Sequence, residues 1–192
     1  MPLNIPNILT LLRIALIPVF VVVFYLPYPW VHIMTTAVFG LAAITDWLDG
    51  YLARRLHQTS VFGAFLDPVA DKLMVAAALM LLVDVNPTGL PGVVLTLPAA
   101  VIIGREIAIS ALREWMAEIG ERAQVAVSAI GKIKTIAQMV ALLLLLFREP
   151  LFGFPTVQVG LLALYLAAAL TLWSMVIYLR AAWPLLVDER GG

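Results

Sequence analysis

Cysteine is absent from this chain of 192 residues, and histidine occurs only twice, at His32 and His57. Disulfides, thiol catalysis and cysteine-ligated zinc are thereby excluded. Charge is also scarce. Asp, Glu, Lys and Arg make up 12% of the residues, about half of the roughly 25% usual in a soluble domain. The twelve basic and twelve acidic residues cancel, so no bulk attraction to nucleic acid is expected. Internal repeats and low-complexity tracts are missing, and the chain is expected to form one domain over residues 1–192. The first apolar run, Ile14 to Leu26, has no basic lead-in and no small-residue cleavage site after it. It is therefore not expected to be a cleavable signal peptide.

What is abundant is apolar. Hydrophobic residues make up 63% of the chain, and mean hydropathy is +1.03. This composition points to an all-α integral membrane protein, because a spanning helix needs about 20 mostly apolar residues. Six stretches qualify, near 7–26, 31–55, 61–83, 91–116, 124–147 and 156–182. Pro27 and Pro29 separate the first two. Asn86-Pro87-Thr88-Gly89 with Pro91 and Gly92, and later Pro150, Gly153 and Pro155, supply two more breaks. Pro98 lies inside the fourth stretch and predicts a kink. Trp30, Trp115 and Trp183 near span ends suit interface belts. Six spans place the N-terminus, the loops at 55–61 and 117–123 and the C-terminus on one side. Eleven basic residues lie toward that side, Arg122 and Arg190 included, and only Arg148, with Asp84 and Glu149, lies toward the other. The positive-inside rule then puts both termini in the cytoplasm.

Four aspartates interrupt this apolar pattern, in the string Asp46-x2-Asp49-Gly50-x2-Ala53-Arg54-x8-Gly63-x3-Asp67-x3-Asp71. Carboxylates at membrane depth are costly and usually line a site or a wet cavity. Asp46 and Asp49 share one helix face, as do Asp67 and Asp71. An antiparallel hairpin turning near residues 57–59 would pair Asp49 with Asp67 and Asp46 with Asp71, so that all four meet at one level. Ala53 would face Gly63, leaving room for close approach or a flat ligand. Packing alone does not need four acids, and the nearby basic residues are too few to neutralise them all. An all-oxygen site suits Mg²⁺, Mn²⁺ or Ca²⁺ and is poor for zinc. Two such ions can clamp a phosphoanhydride, and a carboxylate at the cluster's edge can act as general base.

This string resembles the signature of the CDP-alcohol phosphotransferase family. Two further segments resemble the bacterial branch of that family that uses glycerol 3-phosphate as acceptor. They are Asn4-Ile5-Pro6-Asn7-Ile8-Leu9-Thr10-Leu11-Leu12-Arg13, and the run from Gly104-Arg105-Glu106 through Arg113-Glu114 to Lys132-Ile133-Lys134-Thr135. The resemblance implies that Asp46, Asp49 and Asp67 ligate two divalent ions, Mg²⁺ or Mn²⁺. It implies that Asp71 is the general base and also touches metal. It places Gly50, Ala53, Arg54 and Gly63 against the CDP moiety with Asp46 and Asp49, and Asn7 and Thr10 near its cytidine end, although both also suit a helix start. It further implies a homodimer in the bacterial inner membrane, with the active site facing the cytosol.

A basic cluster completes the pattern. Arg105, Lys132, Lys134 and Arg113 fall in the cytoplasmic halves of the fourth and fifth spans. Arg122 and Arg180 suit snorkelling to lipid headgroups, but cations at the depth of the others need an anion, with Glu106 and Glu114 as protein candidates. The expected use is an acceptor-phosphate pocket, with CDP-diacylglycerol as donor and sn-glycerol 3-phosphate as acceptor. Glu114 and Glu118 suggest a local surface network for Arg113. Inositol phosphate, serine or phosphatidylglycerol are the alternative acceptors, though an uncharged one such as serine would not require the cations. A divalent-cation transporter would need polar groups through both membrane halves, and the outer half has almost none.

Overall fold

The computed structural model describes residues 5–55, 61–118 and 129–187. They form six helices: α1 (Ile5–Phe24), α2 (Val31–Arg55), α3 (Val61–Val85), α4 (Val93–Glu118), α5 (Ala129–Phe147) and α6 (Thr156–Val187). No strand occurs among the described residues, only an isolated bridge between Leu151 and Phe154 in the α5–α6 turn. The all-α expectation therefore holds, and each helix follows its expected stretch to within a few residues. The hairpin turn at 57–59, His57, Arg122, Arg190 and the span start at 124 lie outside the described residues.

Length and apolarity mark four of these helices as able to cross a membrane, with windows at Asn7–Phe24, Val31–Asp49, Val93–Glu118 and Thr156–Arg180. α5 contributes a shorter apolar run, Ile133–Phe147, and α3 carries Asp67, Asp71, Lys72 and Asp84. At most a third of each window is buried inside the protein. Ile44, Phe65, Ile107, Leu162 and Trp173 point outward almost uncovered. In water so much exposed apolar surface would drive association; in a bilayer lipid covers it. This is a multi-pass membrane protein.

The protein core is a seam of Phe20, Phe39, Leu79, Leu82, Leu142 and Leu145, all fully buried. α5 and α6 pair most extensively, α4 lies along α6, and α1 packs on both α2 and α3. The expected α2–α3 hairpin is not the main contact, because these two helices touch only lightly and α1 spans the two. The reason is polar. α1 buries Thr10 and Arg13, and both find acids, one on each neighbour. Helix α4 runs through Pro98, and Pro18 and Pro68 also sit within α1 and α3. Proline removes an i→i−4 bond, so Pro68 loosens the backbone next to Asp67.

The turns follow their residue chemistry. Asn86 closes α3 at φ 44°, a left-handed conformation that asparagine tolerates after a helix. Its side-chain amide donates to the Leu90 carbonyl at 2.7 Å. Gly153, at φ 82°, makes the reversal into α6 that a side chain would strain. Within the α5–α6 pair, a Cβ placed on Gly160 would lie 3.0 Å from both Leu144 Cβ and Leu145 Cγ. Gly160→Leu is therefore expected to force these helices apart, at the roughly 1–3 kcal/mol or more typical of overpacking. Thermal unfolding of the purified protein in detergent should show a lowered midpoint; an unchanged midpoint would contradict so close a pairing.

Candidate active site

Asn7, Thr10 and Arg13 recur at three-residue spacing along α1, which sets them on one face, and all three are buried. That face meets the acids. Thr10 donates its hydroxyl to Asp67 Oδ1. Arg13 spreads its guanidinium between two carboxylates of α2, with Nη1 2.6 Å from Asp46 Oδ1 and Nη2 paired to Asp49 Oδ2. The acids are unequal. The Asp49 side chain is 4% exposed and Asp46 41%, so Asp49 depends on Arg13 while Asp46 also faces outward.

Beside this joint lies a cleft of about 220 Å³, lined by Arg13, Asp46 and Asp71 at its polar end and by Phe39, Met74 and Met139 in its apolar walls. Much of that volume is open solvent at its mouth, and the enclosed part has room for only about a water molecule. Asp46, Arg13, Glu106 and Lys134 are all close enough to act electrostatically on Asp71.

The four acids thus surround one level of the molecule, but not in the manner expected. Among the described residues no three acidic or histidine side chains converge as a ready-made metal cage. Arg13 already balances two of the four acids, Asp46 and Asp49. The donor set nevertheless fits a hard divalent cation, since it consists of carboxylate oxygens with Asp46 and Asp71 opening onto the cleft. Gly63 is buried. The side chains of Gly50, Ala53, Arg54 and Lys132 lie outside the described set.

The basic cluster assembles around one acid. Glu106 Oε1 lies 2.9 Å from Arg105 Nη1 and 2.7 Å from Lys134 Nζ. Arg105 Nη2 also donates to Ser174 Oγ at 2.8 Å, and Ser174 in turn donates to the Thr171 carbonyl at 3.1 Å. Arg113 stands apart. Its Nη2 donates to the Tyr178 hydroxyl at 2.6 Å, and its guanidinium lies 5.0 Å from that ring's centre, with Arg105 at 5.7 Å. The surface network expected with Glu114 and Glu118 is replaced by a rivet to α6, because an aromatic face and hydroxyl hold a guanidinium better than a solvated carboxylate does. Lys72, next to Asp71, donates to Ser110 Oγ, which donates to the Glu106 carbonyl at 2.6 Å. That chain ties the acid-bearing α3 to the base-bearing α4.

Sequence reasoning therefore missed Arg13, Ser174 and Tyr178 as members of the site. Arg13 had a usable signal, since a buried arginine two spacings beyond Asn7 on an apolar helix needs an anion. Ser174 and Tyr178 had none, because an isolated serine and tyrosine in a long apolar helix are unremarkable.

The chain was then compared with known proteins. A family model described as CDP-alcohol phosphatidyltransferase matches residues 3–173. A protein of Pseudomonas fluorescens is 58% identical over 183 residues, covering 95% of this chain and 91% of its own. One from Pectobacterium atrosepticum is 57% identical over 182 residues, covering 95% and 96%. One from Salmonella typhimurium is 54% identical over 189 residues, covering 98% and 100%. All three are named CDP-diacylglycerol--glycerol-3-phosphate 3-phosphatidyltransferase. With a family match over most of its length and relatives this similar from end to end, the chain belongs to the CDP-alcohol phosphatidyltransferase family.

Proposed function

We propose that this protein transfers the phosphatidyl group of CDP-diacylglycerol to sn-glycerol 3-phosphate, giving phosphatidylglycerophosphate and CMP. The observation that carries this reading is one site of two signs: carboxylates on α2 and α3, and beside them Arg105 and Lys134 on α4 and α5, with Asp71 in electrostatic reach of both. A donor with a pyrophosphate and an acceptor with its own phosphate need such a pair of subsites, and the names of the relatives agree with it. The chain crosses the bacterial inner membrane six times as a single domain, with both termini and the site toward the cytosol, and it works as a homodimer.

Asp46, Asp49, Asp67 and Asp71 would hold two divalent ions, Mg²⁺ or Mn²⁺. When bound, these would neutralise the pyrophosphate and favour departure of CMP. Gly50, Ala53, Arg54 and Gly63 hold the CDP moiety, with Asn7 and Thr10 toward the cytidine. Arg105, Lys132 and Lys134 hold the acceptor's phosphate, while Arg113, held by Tyr178, contributes less to that pocket. Asp71 takes the proton from the acceptor's primary hydroxyl. That oxygen attacks the phosphorus bearing diacylglycerol, a new P–O bond forms, and the P–O bond to CMP breaks. Holding both substrates together makes the attack effectively unimolecular, which is worth several kcal/mol of barrier.

An assay of CMP release by the purified protein, with CDP-diacylglycerol and each acceptor in turn, tests the proposal. Glycerol 3-phosphate should support turnover; serine, inositol phosphate and phosphatidylglycerol should not. Turnover with one of these three instead would sink the assignment. Asp71→Asn should lower kcat by the roughly 10²–10⁴-fold typical of a lost general base while CDP-diacylglycerol binding persists. Retention of more than a tenth of wild-type kcat would remove Asp71 from that role. Lys134→Ala should chiefly raise the KM for glycerol 3-phosphate. Arg13→Ala removes a counter-charge from the buried Asp49 and from Asp46, at up to about 3–5 kcal/mol. Its unfolding midpoint should fall, more in a chelator than in millimolar Mg²⁺, and equal losses in the two buffers would argue against metal at Asp46 and Asp49.

A further inference from the structure

Glu106 is positioned as though it were itself a ligand of the basic cluster. One oxygen, Oε1, meets Arg105 Nη1 at 2.9 Å and Lys134 Nζ at 2.7 Å. The two cations are each 9% exposed, whereas the glutamate side chain is 27% exposed. It therefore sits on the open side of a buried pair of positive charges, where an incoming anion would arrive. Arg105 is anchored from behind by Ser174, and its buried Nε has no hydrogen-bond partner among the described residues. The carboxylate meets both cations through a single oxygen, whereas a tetrahedral phosphate can give each cation an oxygen of its own.

We propose that Glu106 is a resident counter-ion that occupies the place of the acceptor's phosphate on Arg105 and Lys134 and gives way when a phosphate dianion arrives. It is a positioning residue, acting through the two cations; the inference rests on the reading of this cluster as the acceptor pocket. Without an internal anion, two buried cations would be uncompensated between turnovers, which is strongly destabilising. With Glu106 in place, a ligand must compete for them. A neutral or weakly charged headgroup cannot, because it offers less than the carboxylate it displaces. A phosphate dianion can, since it carries more charge and offers a separate oxygen to each cation. Glu106 thus converts charge into acceptor specificity, at the expense of affinity, because once phosphate is bound its own negative charge remains nearby. Its backbone carbonyl is held by Ser110, which also receives Lys72, so the main chain stays fixed while the carboxylate swings.

The test is initial-rate kinetics of the purified full-length enzyme at saturating CDP-diacylglycerol, with inorganic phosphate as a competing probe. Glu106→Gln removes the competing charge. It should lower the KM for glycerol 3-phosphate several-fold and tighten inhibition by inorganic phosphate in parallel, with a smaller change in kcat. Glu106→Asp draws the carboxylate back by one methylene and should lower the KM less; it decides the matter if the glutamine variant does not fold. In a Lys134→Ala background the Glu106→Gln effect should largely vanish, since coupled residues are non-additive. An unchanged or raised KM in the Glu106 variants, with Lys134→Ala raising it, overturns the resident counter-ion and leaves the pocket standing. An unchanged KM in Lys134→Ala overturns both.

Discussion

A charge held among helices in a bilayer has to find its opposite inside the protein, because neither lipid nor bulk water will solvate it. The helices pack here as that constraint requires. Arg13 is almost wholly buried and is stabilised by Asp46 and Asp49 of α2. Thr10, one turn earlier, is committed to Asp67 of α3. α1 is thereby fixed to both acid-bearing helices, and α2 and α3 need little contact of their own. The second joint works in the same way. Glu106 of α4 accepts from Lys134 of α5, while Arg105 reaches back to Ser174 of α6. Breaking either joint takes a counter-charge from a buried group, which is more costly than losing a surface ion pair.

These two joints also explain why so apolar a chain has a defined interior. Between helices in lipid, hydrophobic packing discriminates weakly, since the tails are as apolar as leucine. Polar contacts and close approaches then set the register. Lys72 to Ser110 links α3 to α4 beside Asp71, and Gly160 lets α6 settle against Leu144 and Leu145. The reacting groups are thus borne on rigid helices, the arrangement that holds catalytic geometry most accurately.

The part of this arrangement legible in the sequence was the part with local periodicity. Asp46 with Asp49, and Asp67 with Asp71, lie three or four residues apart, so helix geometry alone places each pair on one face. The span limits followed from proline and glycine at the turns. What was not legible was rotation and neighbourhood. A hairpin between α2 and α3 was the simplest way to gather the acids, but it ignored the demand of Arg13, which lies in another helix at no fixed sequence distance. Tyr178 is the same case. Nothing near residue 178 announces that its hydroxyl and ring will hold Arg113 and draw it away from Glu114. Contacts between helices distant in sequence depend on how side chains mesh, and hydropathy carries little of that information.

The distribution of polar groups bears on what such a protein can do. Its chemistry-bearing side chains gather at one level, and the cleft they border ends on Phe39, which packs against Phe20 with ring centres 6.0 Å apart. Beyond that point the core is mainly leucine and alanine, with Phe24, Val75 and Ile102. At the opposite ends of the helices the few polar groups are already committed. Tyr25 donates to Asp84 at 2.8 Å, His32 lies 3.3 Å from Glu149, and Arg148 rests over the Phe24 ring at 4.6 Å. An ion passing through would have to cross that seam, which among the described residues offers no buried charged side chain. A site closed on one side and open on the other suits a reaction in which one substrate arrives from the lipid and the other from solution. In the proposed reaction, the division of sign within it, acids toward the phosphoanhydride and bases toward the incoming phosphate, would keep two anionic substrates from competing for the same ground. Asp71 borders the cleft with Arg13 and Asp46 and also feels Glu106 and Lys134, a position from which the proposed general base would serve both substrates.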